Sequence, residues 1–137
     1  MTNAELAQGV YLAFRARDWD TLRTLLADDA ELGMSGRNPM AGSHAGADTC
    51  VRVLRDIVDR SAGTFRPVLD DGWDVCSSPH HAIVLDWFRA ERDGRELKAY
   101  LYFVVATDGG KIARIFVHSS EQYEFDAFFG TSSEAVS

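Results

Sequence analysis

Cysteine, positive charge and long apolar runs are all scarce in this chain, and each scarcity excludes something. The two cysteines, Cys50 and Cys76, lie far apart and outside any Cys-x-x-Cys spacing. Neither a disulfide framework nor a thiolate metal site is indicated, and both read as reduced packing residues. Fourteen Lys and Arg against 21 Asp and Glu leave a formal net charge of −7. The cations are scattered, so neither nucleic acid nor an anionic membrane surface is an expected partner. No apolar run approaches the roughly 20 residues of a membrane span. Met1-Thr2-Asn3-Ala4-Glu5 has neither the basic start nor the apolar centre of a signal peptide. A cytoplasmic protein is the expectation.

What is present is enough for one domain with a core: 137 residues, 46% of them hydrophobic. The domain is expected over residues 1–130, with the small polar segment 131–137 as a flexible tail. Leu6, Ala7, Val10, Tyr11 and Phe14 recur at helical spacing, which predicts a helix over 4–17. Asp18 or Asp20 then caps a short second helix that buries Trp19, Leu22, Leu25 and Leu26. "ADDAELGM" reads as a short strand and "SGRNPMAGSHAG" as loop. A third helix is expected from about Asp48, with Cys50, Val53, Leu54 and Ile57 on one stripe and Gly63 as its stop.

From Thr64 the period changes to alternation, which predicts four longer strands over about 65–75, 82–92, 95–107 and 111–120. The connections "CSSPHH", "DG" and "DGG" are short and make an antiparallel meander. Helices followed by a curved antiparallel sheet give an α+β architecture in which the helices cover one sheet face.

Asp86 interrupts the apolar stretch "AIVLDWF", and a buried carboxylate is costly. Alternation places Ala82, Val84, Asp86, Phe88 and Ala90 on one face of their strand, and Leu97, Ala99, Leu101, Phe103 and Val105 on the matching face of the next. A two-residue Asp93-Gly94 turn sets Asp86 opposite Leu101, Phe88 opposite Ala99 and Val84 opposite Phe103. A three-residue Asp108-Gly109-Gly110 loop would then bring Val117 beside Leu101 and Ile115 beside Phe103. Asp86 is therefore expected inside, with no Arg or Lys beside it on the sheet. Desolvation there raises a carboxyl pKa, as suits a general acid or base. The alternative is a structural carboxyl satisfied by a helix side chain or buried water. Asp70 or Asp71 on the preceding strand is a further neighbour to look for.

The opposite face carries Ile83, Leu85, Trp87, Tyr100, Tyr102, Phe116 and His118. An aromatic surface of that size predicts a homodimer interface. His44, His80 and His81 lack metal-ligand spacing and are expected in solvent, so no metal is expected.

The order of "YLAFRARDWDTLRTLLADDAEL", "GRNPMAGSHAGAD", the meander with "ERDG" and "DGGKIARI", and the closing "EQYEFDAFF" resembles a SnoaL-like polyketide cyclase domain of the nuclear transport factor 2-like superfamily, over residues 4–129. The resemblance implies a cystatin-like α+β roll: a cone-shaped sheet wrapped against three N-terminal helices, with a ligand pocket inside and a dimer across the outer sheet. Of the positions that limonene-epoxide-hydrolase-like enzymes use, those matching here are Leu32, Met34, Val84, Asp86 and Val117, and only Asp86 keeps its chemistry. Met34 stands where ketosteroid-isomerase-like enzymes keep their base, and Val117 where SnoaL-type cyclases keep theirs. Asp86 is the catalytic candidate. Tyr11, Phe14, Met34, Trp73, Phe88, Leu101, Phe103, Ile115 and Val117 are the candidate walls of an apolar substrate pocket.

The resemblance implies a cofactor-independent enzyme that cyclises, isomerises or dehydrates a hydrophobic polyketide-like or polycyclic molecule, a pericyclic cyclase working by shape being one form of it. A non-catalytic small-molecule-binding or dimerisation domain is the alternative. A cavity lined by Asp86 favours the first, and an interior filled by Phe88, Phe103 and Met34 favours the second.

Overall fold

A capping box starts the chain: Thr2 Oγ1 accepts from Glu5 N while the Glu5 carboxylate accepts from Thr2 N, which opens helix α1 (Asn3–Ala16). The computed structural model describes residues 1–130; the expected tail, 131–137, lies outside the described residues. Asp18, rather than Asp20, caps α2 (Trp19–Leu25), accepting from both Thr21 N and Thr21 Oγ1. The chain passes directly into β1 (Leu26–Met34). In the segment expected as loop, β2 (Gly42–Ala45) pairs antiparallel with β1, Leu32 opposite His44. No apolar alternation marks β2, since it is held by β1's backbone rather than by burial. Helix α3 (Ala47–Arg60) buries the predicted stripe of Cys50, Val53, Leu54 and Ile57. Gly63 N turns back to Val58 O, at 2.9 Å, just past its end.

The strand expected over 65–75 is two pieces, β3 (Arg66–Pro67) and β4 (Asp74–Ser77), both paired with β5 (His81–Arg92). Then follow β6 (Arg95–Asp108), β7 (Lys111–Ser119) and a fourth helix, α4 (Gln122–Phe129). The sheet order is β2-β1-β7-β6-β5-β3, with β4 also along β5. The meander is antiparallel, whereas β1 and β7 run parallel.

The β5–β6 register is the predicted one, Asp86 opposite Leu101. The β6–β7 register differs from the prediction by two residues, with Phe103 opposite Val117 and Leu101 opposite Ser119. Gly109 and Gly110 both take positive φ, 58° and 79°, so a two-residue turn closes the hairpin, and a bulge after Ala106 absorbs the difference. A shift of two keeps every side chain on its face.

The inward residues of the sheet and the apolar faces of the helices form one core, from Leu6 and Tyr11 through Leu54 and Phe103 to Val117 and Phe125. Helix α4 adds Phe125, Phe128 and Phe129 to it. Asp126 anchors that helix to the loop after β1, accepting from Asn38 Nδ2 at 2.8 Å and Arg37 N at 3.0 Å. Gly36 allows this approach: at φ 98° a Cβ there would stand 2.4 Å from Asp126 Oδ1. Cys50 is buried as expected. Cys76 is exposed, on a strand whose outward side meets solvent. His80 and His81 are exposed, but His44 is half-buried, its Nε2 2.8 Å from Met40 O.

Candidate functional site

Strand β5 turns Asp86 into the core, where it is 1% exposed. Two donors meet it. The Tyr11 hydroxyl, from α1, donates to Oδ2. The backbone N–H of Trp87 donates to Oδ1 at 2.8 Å. The second bond follows from strand geometry. Tyr100 N and O both bond Ser120, so Tyr100's backbone polar groups face β7. Trp87, paired opposite Tyr100, therefore points its own polar groups the other way. There Trp87 O accepts from Val68 N at 2.7 Å, and the Asp86 carboxylate takes up Trp87 N–H.

Burial first, and the neighbouring Asp86 carboxylate second, hold the Tyr11 phenol above its ordinary pKa, with Arg15 opposing them. Tyr11 is thus a fixed proton donor toward Asp86 at any physiological pH. Arg15 lies one helical turn beyond Tyr11 and approaches Asp70 at 3.6 Å. Asp70 is fully exposed on the excursion between β3 and β4, paired with Arg15, and Asp71 is likewise in solvent.

The predicted wall residues are all packed in or against the core. Tyr11 meets Trp73 at 5.5 Å, Phe88 at 6.2 Å and Phe103 at 6.3 Å between ring centroids. Phe14 meets Phe103 at 5.4 Å and Phe88 at 6.2 Å. Leu101 faces Asp86 across the β5–β6 pair. Met34, Ile115 and Val117 lie in the β1–β7 part of the same core, Met34 beside Val117. Asp86, 1% exposed, thus sits among closely packed rings. Clefts open elsewhere: about 560 Å³ at the β5–β6 turn, lined by Thr64 and Glu91 to Glu96, and about 400 Å³ between Asp29, Glu31, His81, Arg114 and Phe116.

Sequence reasoning missed two residues. Phe65 stacks on Phe88 at 4.8 Å; it opens the strand expected over 65–75, for which sequence reasoning assigns no inward face. Arg15 had a usable signal, its four-residue spacing from Tyr11 on one helix.

On the outer face, Trp87 stacks on Tyr100 at 6.1 Å and Phe116 on His118 at 6.3 Å. Ile83, Trp87, Tyr100 and Phe116 are each 36–42% exposed, and Tyr102 is half-buried. Among the described residues, no group of three or more His, Cys, Asp or Glu is placed to hold a metal, and no helix is long and apolar enough to cross a membrane.

No family model and no curated protein matches the sequence. Solved structures do. Bal32a, from a soil-derived mobile gene cassette, is 28% identical with a TM-score of 0.84, over 93% of this chain and 96% of that one. A protein of unknown function with a cystatin-like fold from Xanthomonas campestris is 25% identical with a TM-score of 0.84, over 95% and 99%. A protein from Xanthomonas campestris pv. campestris proposed to be a polyketide cyclase is 17% identical with a TM-score of 0.69, over 93% and 99%. Other neighbours are described as NTF2-like. The α+β fold implied by the resemblance is the fold found.

Proposed function

We propose that this chain is a cofactor-independent enzyme of the SnoaL-like type, acting in the cytoplasm on a hydrophobic, polyketide-like or polycyclic molecule by cyclisation, isomerisation or dehydration. The observation that carries this reading is the Asp86–Tyr11 pair, a carboxylate and a phenol facing each other inside an aromatic core. Asp86 is the base that removes a proton from substrate carbon or oxygen. Tyr11, held protonated, is the donor that turns to the oxygen on which charge develops. The rings of Phe14, Phe88 and Phe103 fix the substrate's conformation, which lowers the barrier by positioning. A neighbour of the same fold proposed to be a polyketide cyclase supports the reaction class.

The test is turnover across a panel of aromatic polyketide and polycyclic ketone substrates. Asp86→Asn keeps the shape and removes the base, so kcat is expected to fall by roughly 10²–10⁴-fold with little change in KM. Undiminished turnover would leave a pericyclic cyclase working by shape alone. The close packing of rings about the buried Asp86 favours a second reading, a non-catalytic binding or dimerisation domain, in which no member of the panel is converted.

The same proposal includes a homodimer through the outer sheet face, supported by Trp87, Tyr100, Tyr102, Phe116 and His118 sharing that face on three adjacent strands. Trp87→Glu would bury a charge against its own symmetry mate. Sedimentation should report two chains for the native protein and one for the variant; a native monomer at micromolar concentration removes the dimer.

A further inference from the structure

A ligand bound for Asp86 needs a route to a carboxylate that is 1% exposed, and the strand beside β5 is interrupted at that residue. Pro67 pairs with Phe88, and Val68 N bonds Trp87 O. Continued without a break, that strand would set Leu69 opposite Asp86 and Asp70 opposite Leu85. It is Asp74 that stands opposite Leu85, four positions later in the chain. Residues 69–73 therefore leave the sheet against the single residue Asp86.

What the excursion does with its side chains is equally specific. Trp73, its last residue, lays its indole on the Tyr11 ring at 5.5 Å and 44°, half-buried against the core. Leu69 is 58% exposed. Asp70 reaches Arg15 at 3.6 Å, with its carboxylate fully in solvent. Elsewhere around Asp86 the packing is continuous, with the β5–β6 ladder running through Leu101 and α1 pressing down through Tyr11 and Phe14. An exposed ion pair holds little, so Arg15–Asp70 is an easily released latch.

We propose that residues 69–73 are a gate with Trp73 as its plug. Swinging outward about Val68 and Asp74, the gate uncovers Tyr11 and Asp86 and admits the ligand across the β5 edge beside α1, while β3 and β4 stay paired. The inference rests on Asp86–Tyr11 being the ligand site, yet its test needs no turnover.

The Trp87 amide proton, bonded to Asp86, reports on the gate through hydrogen exchange. Trp73→Ala is expected to speed its exchange at least tenfold, to raise the fluorescence of added Nile red severalfold, and to leave the amides of Val84 and Phe103 unchanged. Asp70→Asn, at an exposed side chain that does not threaten folding, should speed Trp87 exchange about two- to threefold. Acceleration at Trp87 only in step with Val84 and Phe103, or none in Trp73→Ala, overturns the gate. Should Trp73→Ala fail to fold, Asp70→Asn decides: an unchanged Trp87 rate overturns it. If Asp86→Asn abolishes turnover while Trp87 exchange ignores both variants, the gate fails alone. If Trp73→Ala opens Trp87 and Asp86→Asn turns over normally, the acid–base role fails alone.

Discussion

Truncating Phe14 to alanine is expected to lower the free energy of unfolding by about 3–5 kcal/mol, read from urea denaturation at unchanged m-value. Phe14 is 1% exposed and its ring touches Trp19, Phe65, Phe88 and Phe103, so it joins α1 and α2 to the strand face that carries Asp86. Alanine removes the whole ring from four partners that belong to different elements and cannot collapse together into the gap. Domains of this size are stable by only about 5–15 kcal/mol, so the variant should sit near the edge of folding at 37 °C. Leu12→Ala is the control, being 46% exposed on the other side of the same helix, with an effect expected within about 0.5 kcal/mol. A loss below about 1 kcal/mol for Phe14→Ala would mean that α1 does not pack on the sheet as described.

Asp86→Ala is expected to cost about 2–5 kcal/mol, although it deletes a polar group from an apolar interior. Two donors lose their acceptor at once, the Tyr11 hydroxyl and the Trp87 N–H, and each buried donor left unmade costs about 1–3 kcal/mol. Asp86→Asn still offers an oxygen to Trp87 N–H and an NH₂ to the Tyr11 oxygen, so its cost should stay near 1 kcal/mol. A double-mutant cycle with Tyr11→Phe separates the contributions. If the two side chains share one bond, Tyr11→Phe with Asp86→Ala loses less than the sum of the single changes. Additive losses, or a cost for Asp86→Ala under 0.5 kcal/mol, would show that Asp86 does not hold Tyr11.

The β5–β6 pairing was legible because its turn and its faces are two independent constraints that agree. Asp93 and Gly94 both take positive φ, 52° and 78°, as a two-residue turn requires. Arg92 opposite Arg95 then carries Asp86 to Leu101. The next turn was ambiguous, since "DGG" serves a two- or a three-residue loop. Parity survives the error, so Phe103 and Val117 lie on the expected face and only the β6–β7 partners differ, Phe103 meeting Val117 instead of Ile115. The split between β3 and β4 is hidden in the sequence, because Phe65, Pro67, Leu69, Trp73 and Val75 share one parity and read as one strand. Trp73, at the end of the excursion between them, meets Tyr11 from a helix some sixty residues earlier, and a local pattern does not carry that contact. Sequence reasoning allowed a helix side chain as the partner of Asp86 without identifying it. Helix α4 had its own signal, Phe125, Phe128 and Phe129 at helical spacing, but eight residues behind a strand make a weak pattern.

The parallel pairing of β1 with β7 bears on the order in which the molecule can be assembled. Apart from the four-residue β2, β1 has no partner until Lys111–Ser119 arrives, and Leu32 meets Ile115 only when nearly the whole chain is available. The β5–β6 hairpin closes locally, whereas α1 must wait for it to have a surface to lie on. A topology so dependent on distant contacts folds in milliseconds to seconds rather than microseconds. A nascent chain that stops short of β6 therefore displays the apolar face of α1 with no hairpin to cover it, and one that stops short of Lys111 leaves β1 paired only with β2.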